Sequence, residues 1–177
     1  MRHLSILLLA LLSPLGFAQE EGGVKTTPRK IQTTDSPVTR AEAAAVLGKL
    51  ERAFRSVLSV PPKGKSNLVP DRTPITRSAI ISEFDRLVVI AEPSFKVTTR
   101  PVKYDAARFT IKDASAKSQL GKLVKGGYVA RIGPLATGSK DTLTTAEFGD
   151  AVGFLLARVS EASTMPSTKW TPYLQRE

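Results

Sequence analysis

The chain has 177 residues, with 26 Lys+Arg against 16 Asp+Glu for a formal charge of +10, one histidine and no cysteine. That is enough chain for one domain with a sizeable core, but a core held by packing alone, because no disulfide can form. Its single histidine is His3, so the remainder of the chain excludes zinc sites built on His or Cys, thiol nucleophiles and the Ser-His-Asp arrangement.

In chain order, Arg2 and His3 precede the apolar run Leu4 to Leu12, then Pro14 and the small-residue pattern Gly16-Phe17-Ala18. This predicts a secretory signal peptide over 1–18, cleaved between Ala18 and Gln19, and hence an exported protein. With no cysteine to carry a lipid, the leading run too short to span a bilayer and no other segment apolar enough to do so, the expected product is soluble and released. Residues 19–36 are polar, contain Gly22-Gly23 and Pro28, and read as a flexible lead.

A first helix is expected from Arg40 to about Leu58, with Leu47, Leu50, Phe54, Val57 and Leu58 on one face and a stop at Pro61-Pro62-Lys63-Gly64. A loop through Val69 to Pro74 leads to a second helix, Arg77 to Ala91, with Ile80, Ile81, Phe84, Leu87 and Val88 inward and Pro93 at its end. Phe95 to Ile111 reads as an extended connector, in which Pro101 argues against a central strand. The third helix, Ala114 to Lys125, should stop at Gly126-Gly127. After a short extended Tyr128 to Ile132, residues Gly133 to Lys140 read as a flexible loop. The last helix runs from Thr145 to Glu161 with Phe148, Val152, Leu155, Leu156 and Val159 on its apolar side. The tail, 163–177, has prolines and no periodicity, and is expected to be loose. The domain is thus 37–162 and mainly α, with long loops and short extended links.

Three of these helices open alike. The segments are Ser36-Pro-Val-Thr-Arg-Ala-Glu42, Thr73-Pro-Ile-Thr-Arg-Ser-Ala79 and Asp141-Thr-Leu-Thr-Thr-Ala-Glu147. Thr39 and Thr144 stand at N-caps with Glu42 and Glu147 three residues on, the capping-box spacing, while Ala79 leaves the middle copy without its carboxylate. Val38, Ile75 and Leu143 precede the threonines and match Ala43, Ile80 and Phe148 in a hydrophobic staple. Recurrence of one such unit points to a helical repeat module.

Val38-Thr-Arg-Ala-Glu42 and Ile75-Thr-Arg77 resemble the Thr-Arg-Ala-Glu signature of S-layer homology repeats, and Leu143-Thr-Thr-Ala-Glu-Phe148 resembles it with the arginine replaced. Phe109-Thr-Ile-Lys-Asp113, Leu120 to Val124 and Gly126-Gly127-Tyr128-Val129 extend the resemblance over most of the third repeat; the first two show little beyond their motif helices. The resemblance implies an S-layer-homology-like fold with degenerate repeats and a non-catalytic role in holding exported proteins to the cell envelope. It implies polymer-binding roles for Arg40 and Arg77, supported by Thr39, Thr76 and Glu42. A guanidinium fork suits carboxylates, and a helix start offers free N–H groups. Gly133 and Gly138 are expected to let a polymer approach the loop backbone.

The expected partner is an anionic cell-wall polysaccharide or peptidoglycan-linked polymer, with an envelope protein as a further partner. No specific nucleic acid, metal, cofactor or membrane insertion is expected. Two other readings stay open: a secreted scaffold that keeps the fold without polymer binding, and a basic protein coating anionic polymers nonspecifically. Carboxylate pairs such as Asp105/Asp113 or Glu147/Asp150 formally allow glycosidase chemistry. Nothing in their context sets them apart from capping positions, so no enzyme is expected.

Overall fold

The computed structural model describes residues 35–61, 64–98 and 101–174. The expected signal peptide and nearly all of the lead fall outside these residues. The fold is mainly α, as expected, and the described residues form isolated β-bridges rather than strands. Helices α1 (Arg40–Leu58), α2 (Arg77–Ala91) and α3 (Ala114–Lys125) have the bounds read from the sequence. They are followed by the short α4 (Pro134–Thr137), α5 (Thr145–Ser163) and α6 (Ser167–Leu174).

Local chemistry sets the helix ends. The Thr39 hydroxyl accepts the Glu42 N–H at 3.3 Å and Glu42 Oε2 accepts the Thr39 N–H at 2.9 Å, closing a capping box. Thr144 and Glu147 repeat it at 3.2 and 2.8 Å. At α2 the Thr76 hydroxyl accepts the Ala79 N–H at 3.3 Å, but no carboxylate returns the bond. Ser59, in the left-handed conformation at φ 54°, ends α1 before the prolines are reached. At the end of α3 the Tyr128 N–H reaches the Leu123 carbonyl at 2.8 Å and the Gly127 N–H reaches Val124 at 3.0 Å, which is the Schellman pairing.

Just before α1, α2 and α5 the chain is extended for a few residues, and these three leads pair with one another. The Arg40 N–H donates to the Thr73 carbonyl at 2.8 Å, Arg77 to Asp141 at 2.7 Å, and Thr145 to Ser36 at 2.9 Å. Each bond joins the residue after a capping threonine to the residue three before the next copy's threonine, and the third bond returns to the first copy. Antiparallel bridges Thr39–Pro74, Thr76–Thr142 and Thr144–Pro37 follow the same cycle. Val38, Ile75 and Leu143 are buried at the centre of this junction. Each contributes on the order of 1.5–3 kcal/mol by leaving water.

The core spreads outward from there. α1 packs on α2, α2 on α3, and α6 on α1. α1 and α2 are also joined by a partly buried ion network: Arg86 Nη2 reaches Glu51 Oε2 at 2.7 Å, Arg86 Nε reaches Glu83 Oε2 at 2.9 Å, and Arg55 Nε reaches Glu51 Oε1 at 2.9 Å.

The tail differs from its expected looseness. Residues 167–174 are helical despite Pro172, and Trp170 and Leu174 are buried. Trp170 meets Phe54 edge-to-face with centroids 5.6 Å apart, and its ring N–H reaches Ser160 Oγ at 3.2 Å. Burial of that indole drives the helix, where local propensity does not. Two further stretches differ. The loop 133–140 contains the helical turn α4, and the connector carries the 3₁₀ turn Ala106–Arg108, after another, Glu92–Ser94, that directly follows α2.

Candidate functional site at the helix starts

The junction brings Thr39, Arg40, Glu42, Thr76 and Arg77 together, although the two signature arginines are 37 positions apart. Their surroundings differ sharply. The Arg40 side chain is half-buried, and among the described residues it makes no hydrogen bond or ion pair. Its backbone is fixed by Thr73, and the neighbouring Ala41 N–H donates to the Asp71 carbonyl at 2.9 Å. Asp71 lies close by on the exposed loop. Its carboxylate sits below its ordinary pKa because it accepts the hydroxyl of Thr73 and then the Thr73 N–H, with the Arg40 charge adding to the effect.

Arg77 occupies the same position at the next helix start and is only 3% exposed. Its Nη1 donates to Thr110 Oγ1 at 3.0 Å and to the Pro134 carbonyl at 3.2 Å, while its Nε is buried without an acceptor. Burial pushes its pKa down, opposed by the charge of Asp141. This arginine ties the connector and α4 to the junction and offers little to a ligand. At the third helix start Thr145 takes the equivalent place, and its hydroxyl donates to the Ser36 carbonyl at 3.2 Å.

Gly133 and Gly138 line an open depression of about 300 Å³ beside the start of α5; neither arginine lines it, although Arg77 reaches its edge at the Pro134 carbonyl. Pro134, Lys140, Thr142 and Glu147 also line it. Both glycines are demanded by the backbone itself. Gly133 has φ 147°, and a Cβ on Gly138 would lie 2.3 Å from the Pro134 carbonyl oxygen. Glu147, in the same depression, is occupied by its capping box.

Three of the four carboxylates nominated for acid–base chemistry, Asp105, Asp113 and Glu147, are also spoken for. Asp105 accepts the Ala107 N–H at 2.9 Å and Asp113 the Ala116 N–H at 2.6 Å, each capping a helical turn. Among the described residues no group of three or more His, Cys, Asp or Glu could hold a metal ion, and no helix is long and apolar enough to cross a membrane.

Asp71, Thr73, Thr110 and Lys140 enter the site without having been singled out in the sequence. Only the Asp71–Thr73 pair carried a local signal, as an Asp whose side chain turns back on the N–H two residues later, here at 2.8 Å. Thr110 and Pro134 reach Arg77 through tertiary packing alone. No protein-family model, curated protein or solved structure matches this chain.

Proposed function

We propose that this is an exported, non-catalytic module of the cell envelope that binds an anionic wall polysaccharide non-covalently, with Arg40 as its principal contact. The single observation that carries the reading is the contrast between the two signature arginines. Arg77 is consumed by Thr110 and the Pro134 carbonyl, whereas Arg40 keeps its guanidinium free among the described residues. A cation at a helix N-terminus opposes the helix dipole. A bound carboxylate would relieve that cost at Arg40, and the bidentate fork would orient it. On this reading the three paired helix leads are the framework of a degenerate S-layer-homology-like repeat, and Thr39 and Glu42 hold the backbone that presents Arg40. The depression at Gly133, Gly138 and Lys140 extends the contact along the polymer.

A second reading keeps the fold and drops the ligand. It is favoured by the burial of Arg77 and by Thr145 in the third position, which leave one of three helix starts with an available arginine. Co-sedimentation with purified wall sacculi separates the two. The binding reading expects association that persists at high salt and weakens roughly tenfold or more in Arg40→Ala, since a charged bidentate contact is worth about 1.5–3 kcal/mol. Association that salt abolishes, or that Arg40→Ala leaves unchanged, supports the scaffold.

A further inference from the structure

The charge of this chain is unevenly laid out, and its most basic part is the segment 101–125, which touches the helix starts at Arg77 through Thr110. Between residues 101 and 125 stand Lys103, Arg108, Lys112, Lys117, Lys122 and Lys125, with Asp105 and Asp113 as the only acids. Both acids are engaged with backbone N–H groups as caps. None of the six cations forms an ion pair with a described residue. α5, by contrast, carries Glu147, Asp150 and Glu161 against Arg158.

The fold sets part of this charge side by side, bringing Lys103 next to the C-terminal half of α3. The connector lies along α3, with the Val102 N–H on the Lys125 carbonyl at 2.9 Å. The Tyr104 hydroxyl rests on Gly121, where a Cβ would come within 2.8 Å of it. Lys103 and Tyr104 therefore flank the outer side of α3, where Lys122 and Lys125 are exposed. Arg108 and Lys112 follow toward the start of the helix, ahead of Lys117. Phe109 and Ile111 anchor the connector from below, buried in the core. Tyr104 stacks on Phe109 at 5.4 Å and remains 37% exposed.

We propose that this face docks on an anionic phospholipid surface, its lysines against the lipid phosphates and Tyr104 at the headgroup boundary. Five of the six cations are lysines, compact point charges suited to a field of phosphates rather than to bidentate forks. They are set along a helix flank and the strip beside it, and such a basic face next to an amphipathic ring is suited to a membrane interface. A single-stranded nucleic acid would need a run of stacking rings, and this face exposes Tyr104 alone. The inference is independent of the Arg40 site, since it uses none of that site's residues.

The test is flotation with vesicles holding about 30 mol % phosphatidylglycerol in phosphatidylcholine, and with pure phosphatidylcholine. The chain should float with the anionic vesicles only, and release at roughly 1 M salt, where screening reaches about 3 Å. Lys103→Gln/Lys122→Gln/Lys125→Gln should lower partitioning on the order of tenfold or more, and Arg40→Ala should leave it unchanged. A second variant, Arg108→Gln/Lys112→Gln/Lys117→Gln, should act alike, and circular dichroism checks that both remain helical. Failure to float with anionic vesicles overturns the proposal, whether or not the chain retards duplex DNA. So does wild-type partitioning of both variants.

Discussion

Arg40 and Arg77 share one sequence context and have opposite fates, so substitution should affect them differently. Arg77→Ala removes a buried side chain and leaves the Thr110 hydroxyl and Pro134 carbonyl without their donor. It should cost about 2–4 kcal/mol of unfolding free energy. Arg40→Ala removes a side chain with no protein partner among the described residues, and should stay within about 0.5 kcal/mol. Urea denaturation followed by circular dichroism measures both. Glu42→Ala and Glu147→Ala each break one arm of a capping box and should cost about 1 kcal/mol. At Glu51, burial raises the carboxyl pKa, but hydrogen bonds from Arg86 and Arg55 and then their charges outweigh it and hold the group below its ordinary 4.5. Arg86 is pushed down by burial and raised more strongly by Glu51 and Glu83. Glu51 therefore binds its proton more weakly when folded. Its contribution is fully present above pH 4.5 and is lost as pH falls through the lower folded value. Thermal melts between about pH 6 and pH 3 should show that loss, and Glu51→Gln should shrink it.

Among the elements, α6 is where packing overrides propensity. Its sequence offers one apolar pair at helical spacing, Trp170 and Leu174, interrupted by Pro172. Trp170→Ala should cost about 3–5 kcal/mol, because it opens a cavity against Phe54. A cost below about 1 kcal/mol in the same urea titration would mean that α6 does not hold α1. The contrast with α1, α2 and α3 shows what was legible beforehand. Their boundaries rest on local chemistry, a threonine or aspartate cap at one end and a stop signal at the other, so they could be read residue by residue. The paired leads were not legible, because an extended segment of a few residues has too short a period to recognise. For the site, the sequence marked both arginines alike. Which of them is free depends on Thr110 and Pro134, 33 and 57 residues away from Arg77.

In the molecule as a whole, one cyclic junction of three helix leads carries the fold, with Arg40, the proposed ligand contact, at one of its seams and the basic 101–125 segment outside it. A wall-polymer site and a lipid-facing surface on separate parts of one domain would suit a protein held between membrane and wall. The two activities should separate by mutation: Arg40→Ala should affect sacculi and spare vesicles, and the lysine variants the reverse. The most direct measurement of the central claim is amide hydrogen exchange with and without solubilised wall polymer, in roughly 0.5 M salt to suppress diffuse pairing. The account predicts added protection at the start of α1, around Thr39 to Glu42, and along the 133–142 loop, absent in Arg40→Ala. No change at the start of α1, or protection confined to 101–125, would contradict it.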